Sequence, residues 1–65
     1  MDYLSQINNS TTLTQLSDSR YGVNGFETAY SAGLISYDSY LYYYDAYVIK
    51  YNQLIDTASS IIKLY

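Results

Sequence analysis

Asp38 and Asp45 are the pair of carboxylates whose spacing invites a search for acid–base chemistry, and tyrosine, with eleven copies, is the residue type present in unusual number. Seven residues apart on a helix, the two aspartates stand about 10 Å apart along the axis. That separation fits two solvated charges on a polar face. The chain has no histidine and no cysteine, and Gly22 and Gly25 match no phosphate-binding loop. No catalytic residue, cofactor site or metal site is expected. The overlapping triplets Asn8-Asn9-Ser10 and Asn9-Ser10-Thr11 fit the glycosylation pattern, but triplets this short arise by chance in a polar stretch.

The tyrosines carry the stronger signal, because seven of them fall between Tyr37 and Tyr51. A tyrosine brings a large apolar ring and a hydroxyl that needs a partner, which suits interfaces that are mostly dry but bordered by polar groups. Rings from neighbouring copies packed edge to face add about 0.5–1.5 kcal/mol per pair beyond their buried area. Two other uses of such rings find less support. Stacking platforms for nucleic-acid bases need a positive groove, whereas Arg20, Lys50 and Lys63 are scattered and the net charge is -3, so no nucleic-acid partner is expected. An array for carbohydrate or electron transfer has no positive sign in the sequence.

The elements that position these residues follow from size and spacing. A chain of 65 residues is one small domain with a thin core, and without cysteine or histidine the remaining route to stability is oligomerisation. No apolar run is long enough for a membrane span, and the N-terminus lacks the basic start and apolar core of a secretory leader. Export without a cleaved signal peptide is therefore expected if the protein leaves the cell. Residues 1–17 read as a weak helix or arm, with Tyr3, Leu4, Ile7, Leu13 and Leu16 loosely spaced around the poor helix formers of Asn8 to Thr12. Residues 18–25 read as a turn. Asn24 with Glu27 three positions on resembles a capping box, and no proline follows, so residues 26–65 read as one helix about 60 Å long. Gly33 inside it costs about 1 kcal/mol relative to alanine. The fold class is all-α: a helix-turn-helix hairpin with a short N-terminal helix or arm and one long C-terminal assembly helix.

Along that helix, Tyr30, Leu34, Tyr37, Leu41, Tyr44, Val48, Tyr51, Ile55, Ala58, Ile62 and Tyr65 alternate steps of four and three without a break, which is a heptad seam. With Leu34 as position a, Tyr40, Tyr47, Leu54 and Ile61 fall at g, and Tyr43 and Leu64 at c. One polar wedge remains, formed by Asp38, Ser39, Asp45, Asn52, Gln53, Ser59 and Ser60 at e and f with Asp56 and Lys63 at b. A short N-terminal arm is expected to cover the a/d seam and to leave the g and c faces to neighbouring copies. An aspartate at Tyr47 is accordingly expected to stop assembly. The pattern predicts a homo-oligomer, an open helical filament in which acidic residues of the N-terminal half meet Lys50 and Lys63 of the next copy. A closed coiled-coil dimer or tetramer uses the same seam. A strand over Tyr40 to Tyr44 is the alternative that aromatic propensity offers.

The runs Leu34-Ile35-Ser36-Tyr37-Asp38-Ser39-Tyr40, Val48-Ile49-Lys50, Leu54-Ile55-Asp56 and Ser60-Ile61-Ile62-Lys63 resemble the C-terminal half of type III secretion needle subunits, and the short pilins of plant-pathogen secretion systems are a related likeness. The resemblance covers residues 34–65. It implies a structural, non-enzymatic subunit of a hollow tube, exported without a cleaved leader to the cell surface or the extracellular space. Leu34, Tyr37 and Tyr40 would stand at subunit-packing positions, Lys50 at a mid-helix basic position, and Ile61 and Ile62 at a C-terminal assembly contact. The polar wedge of Asp38, Asp45, Asn52 and Gln53 would face the lumen, where unfolded polypeptides would pass. The coat protein of a filamentous virus and a small soluble coiled-coil adaptor are the alternatives from other classes.

Overall fold

The computed structural model describes the backbone of residues 2–63 and the side chains of residues 2–56. These residues are all-α and form four helices, α1 (Tyr3–Asn9), α2 (Leu13–Tyr21), α3 (Phe26–Ser31) and α4 (Tyr37–Lys63). The strand alternative at Tyr40 to Tyr44 is not adopted, since those residues lie within α4. No helix among the described residues is long and apolar enough to cross a membrane.

The N-terminal region is more helical than an arm, and local caps explain why. The Asp2 carboxylate accepts from both the Ser5 N–H and the Ser5 hydroxyl, starting α1. Thr12 starts α2 in the same manner by accepting from the Gln15 N–H at 3.1 Å, while the Gln15 side chain reaches back to the Thr11 N–H at 2.8 Å. This reciprocal pairing is a variant of the capping box. Of the poor helix formers from Asn8 to Thr12, Asn8 and Asn9 end α1 and Ser10, Thr11 and Thr12 serve as the joint between two helices. The joint closes on itself, because the buried Ser10 donates from its backbone to Ile7 and from its hydroxyl to Gln6.

Hydrogen bonds from the Ser5 side chain and backbone hold the Asp2 carboxyl below its ordinary value of 3.8. A depressed folded-state value means that the cap stabilises α1 fully above the unfolded-state titration and loses that contribution as pH falls through the folded-state value. Protection factors of the α1 amides, in which each rate is compared with its own intrinsic rate at the same pH, are expected to fall on acidification through the carboxylate range, and an Asp2→Asn variant should show no such fall. Equal pH dependence in both proteins would place the acid sensitivity elsewhere.

The turn is shorter than residues 18–25, since α2 runs on to Tyr21. Gly22 and Gly25 are required by close approach: a Cβ on Gly25 would collide with the Arg20 carbonyl, and one on Gly22 would lie 2.6 Å from the Asp18 carbonyl oxygen. The expected cap from Asn24 to Glu27 does not form. Gly25 occupies the cap position of α3 without a side-chain bond, the Asn24 carbonyl accepts from the Gln6 amide at 3.0 Å, and Glu27 turns to Arg20.

The single helix expected over 26–65 is broken at residues 32–36. Gly33 adopts φ +76, the Gly33 N–H bonds the Tyr30 carbonyl and the Leu34 N–H bonds the Ala29 carbonyl. These two bonds make a Schellman stop, which glycine permits because it has no Cβ to clash in the left-handed region. Ser36 then restarts the helix as its hydroxyl oxygen accepts from the Ser39 N–H at 3.1 Å. Asp38 adds a favourable charge to the first turn of α4.

The break folds α3 back along α4, and each of the three short helices rests on the long one. Ile7, Leu16 and Phe26 form the fully buried core, edged by Tyr3, Ile35, Tyr40, Tyr43, Ala46, Tyr47 and Leu54. The face of α4 turned inward is thus the g and c face, joined by Ala46. This reverses the expected covering of the a/d seam. The physical reason is the size of the groove: Phe26 projects from α3 between Tyr40, Tyr43 and Tyr47, with ring centroids 5.7, 6.2 and 6.0 Å away. The aromatic g and c positions enclose that ring on three sides.

Candidate assembly surface

Once α1 to α3 have taken the g and c face, most of the described a/d seam is left outside, from Leu34 in the break to Tyr51 on α4. Leu34 is 73% exposed, Tyr37 58%, Leu41 44% and Tyr51 43%, with Tyr44 also exposed. Val48 and Ile55 are half-buried. Of the expected interface residues, Tyr40, Tyr43, Tyr47 and Leu54 instead pack inside the protomer. Tyr30 sits on α3 with its ring stacked on Tyr40 at 4.6 Å. The side chains of Ile61, Ile62 and Lys63, and the whole of Tyr65, lie outside the described residues.

The polar wedge holds in part. Asp38, Asp45, Asn52, Gln53 and Asp56 are exposed, but Tyr42 and Ile49 are exposed among them. At roughly 100° per residue the b positions fall between e and f. The wedge therefore carries a second apolar line at its centre, readable from the heptad by asking what stands at b. Two apolar lines, a/d and b, flank the acidic line of Asp38 and Asp45.

The basic residues are placed by aromatic and polar neighbours. The Arg20 guanidinium lies 4.7, 4.9 and 5.0 Å from the ring centres of Tyr21, Tyr44 and Tyr47 and meets Glu27 at 3.4 Å. It ties α2 and α3 to α4. The Tyr40 phenol is held above its ordinary value first by its hydrogen bond to Glu27 and then by burial. Lys50 donates to the Asn8 carbonyl at 3.0 Å and so closes the end of α1. Arg20 is paired within the protomer, whereas Lys50 spends one of its donors on a neutral carbonyl and keeps its charge.

Replacing Arg20 with alanine is expected to cost about 1–2 kcal/mol, from two interhelical cation–π contacts at about 0.5–1 kcal/mol each and a partly screened ion pair. The readout is a lower urea midpoint with an unchanged slope. A midpoint equal to that of the parent protein would show that the rings hold α2 without the guanidinium.

A cleft of about 260 Å³ between α1 and α2 is lined by Gln6, Asn9, Ser10, Gln15, Asp18 and Ser19, and the buried hydroxyls there are satisfied by the Gln6 and Leu16 carbonyls. Among the described residues no cluster of acidic side chains could hold a metal ion. Among the described residues, the fold and surface define an all-α protein of three short helices on one long helix, with a largely exposed apolar seam. Comparison with known proteins gives no match: no family model, no curated protein and no solved structure aligns with the chain.

Proposed function

We infer that this chain is a structural subunit that self-assembles through the outer face of α4 into a helical filament. The observation that carries the reading is the seam of Leu34, Tyr37, Leu41, Tyr44 and Tyr51, which stays outside after the protomer has filled its own core. Contiguous apolar surface of this kind marks an interaction site on a small protein. The second line of Tyr42 and Ile49 favours open over closed assembly. A closed coiled-coil pair covers the a/d seam alone, whereas two different apolar lines on one subunit allow the head-to-tail contacts that build fibres.

The specific form proposed is a secretion needle or pilus, extracellular or at the cell surface, on the resemblance of residues 34–65 to needle subunits. In such a tube Asp38, Asp45, Asn52 and Gln53 line the lumen, a polar wall to which a passing unfolded polypeptide does not adhere. A genome-binding coat is less well supported, because the net charge is -3, Arg20 is paired with Glu27, and the exposed charges among the described residues of α4 are Asp38, Asp45 and Asp56.

Negative-stain microscopy and light scattering at rising concentration test this. Fibres free of nucleic acid are expected. A single low mass that persists at millimolar concentration would overturn assembly, and nuclease-sensitive fibres would replace the needle with a coat.

A further inference from the structure

Resting on the assembly reading, we propose that the break at residues 32–36 is a hinge for domain exchange. In the assembled state residues 26–63 join into one helix, and α1 to α3 of each copy pack on the α4 of another copy.

The first support is the phase of the heptad across the break. Tyr30, Leu34, Tyr37 and Leu41 keep the steps of four and three through residues that are not helical in the protomer. A simple corner between helices needs no such phase. Within the protomer the pattern is unused there, since Leu34 is the most exposed member of the seam and Tyr30 is diverted onto Tyr40. In a continuous helix Leu34 shares a face with Tyr37 and Leu41 and extends the seam past the start of α4.

The second support is that local bonds hold the break. It rests on the Gly33 and Leu34 N–H bonds and on the Ser36 cap, all of which a continuous helix replaces with its own ladder. Nothing lies within 4 Å of the point where a Cβ on Gly33 would sit, so no neighbour packs on the turn at that residue, and Ile35 is the one residue of the break that edges the core.

The third support is that exchange preserves the interior. Phe26 against Tyr40, Tyr43 and Tyr47, Tyr3 against Tyr43, Arg20 between Tyr44 and Tyr47, and Lys50 on Asn8 all join α1 to α3 with α4. Each can form identically between two copies, which is why exchange of elements is a low-cost route to assembly. With 26–63 straight, Phe26 stands roughly 30 Å from its own Tyr47 along the axis, so its groove must be a neighbour's. Handed on from copy to copy, the contact propagates.

The chain has no cysteine, so Asn8→Cys with Lys50→Cys places the only thiols at one contact between α1 and α4. Light and heavy-nitrogen copies of this variant are mixed, assembled, bridged with a short bismaleimide and analysed by mass. Mixed-isotope links between positions 8 and 50 are expected in the fibres. Fibres whose links all stay within one chain would overturn the exchange and leave assembly standing, whereas failure of the parent protein to form fibres removes both. Gly33→Ala is the second arm, because alanine is disfavoured in the left-handed region and favoured in a helix. It is expected to lower the concentration needed for fibres roughly tenfold or more, and an unchanged or higher threshold would overturn the hinge.

Discussion

Phe26→Ala is expected to abolish cooperative folding of the protomer at 25 °C. Phe26 is fully buried, and its ring is the contact that α3 makes with Tyr40, Tyr43 and Tyr47 on α4. Truncating a buried phenylalanine to alanine costs about 3–5 kcal/mol. A single core in a chain of this length supplies about 3–5 kcal/mol in all. The two quantities are of the same size, so the variant has no margin left. Urea titration followed by far-ultraviolet circular dichroism should show a sloping line in place of a sigmoid. A transition displaced by less than about 1 kcal/mol, against the usual spread of point mutations, would mean that Ile7 and Leu16 hold the bundle without the phenylalanine.

Leu41→Asp should have the opposite character, sparing the protomer and removing the fibre. Leu41 lies on the outward seam and is absent from the residues that edge the core, so its loss should change protomer stability by no more than about 1 kcal/mol. In the fibre the same change forfeits about 1.5–3 kcal/mol of apolar burial and places an unpaired carboxylate in a dry contact, which costs more. At about 1.4 kcal/mol per factor of ten, the concentration needed for fibres should rise at least a hundredfold. Fibres at the parent concentration would show that the seam is not the interface. An aspartate at Tyr47 cannot make this distinction, because Tyr47 packs against Phe26 and Arg20 inside the protomer. It tests folding first.

The pair of substitutions separates two surfaces of α4 that look alike in one dimension. Tyr40, Tyr43 and Tyr47 are no more apolar than Leu41, Tyr44 and Tyr51, yet the first set edges the core and the second borders solvent. Spacing therefore shows which residues share a face of α4, but not which face turns inward. The helix boundaries have local signals: Asp2 with Ser5 and Thr12 with Gln15 are cap spacings visible in the chain. Ser36 ahead of Tyr37 and Asp38 is another, and with Gly33 three residues earlier it marks the stop and restart that divide the helix.

Sequence alone determined the all-α class, the long C-terminal helix and the absence of histidine and cysteine chemistry, because periodicity, missing proline and residue type act over a few neighbouring positions. Only the tertiary structure decided that α4 turns its g and c face inward and leaves the a/d seam outside. That choice depends on where the Phe26 ring lands once the chain has reversed at Gly33, and on Arg20 and Lys50 finding partners 24 and 42 residues away at Tyr44 and Asn8. Helical spacing says which residues share a face, but which face a core claims is settled by the shape of what packs against it.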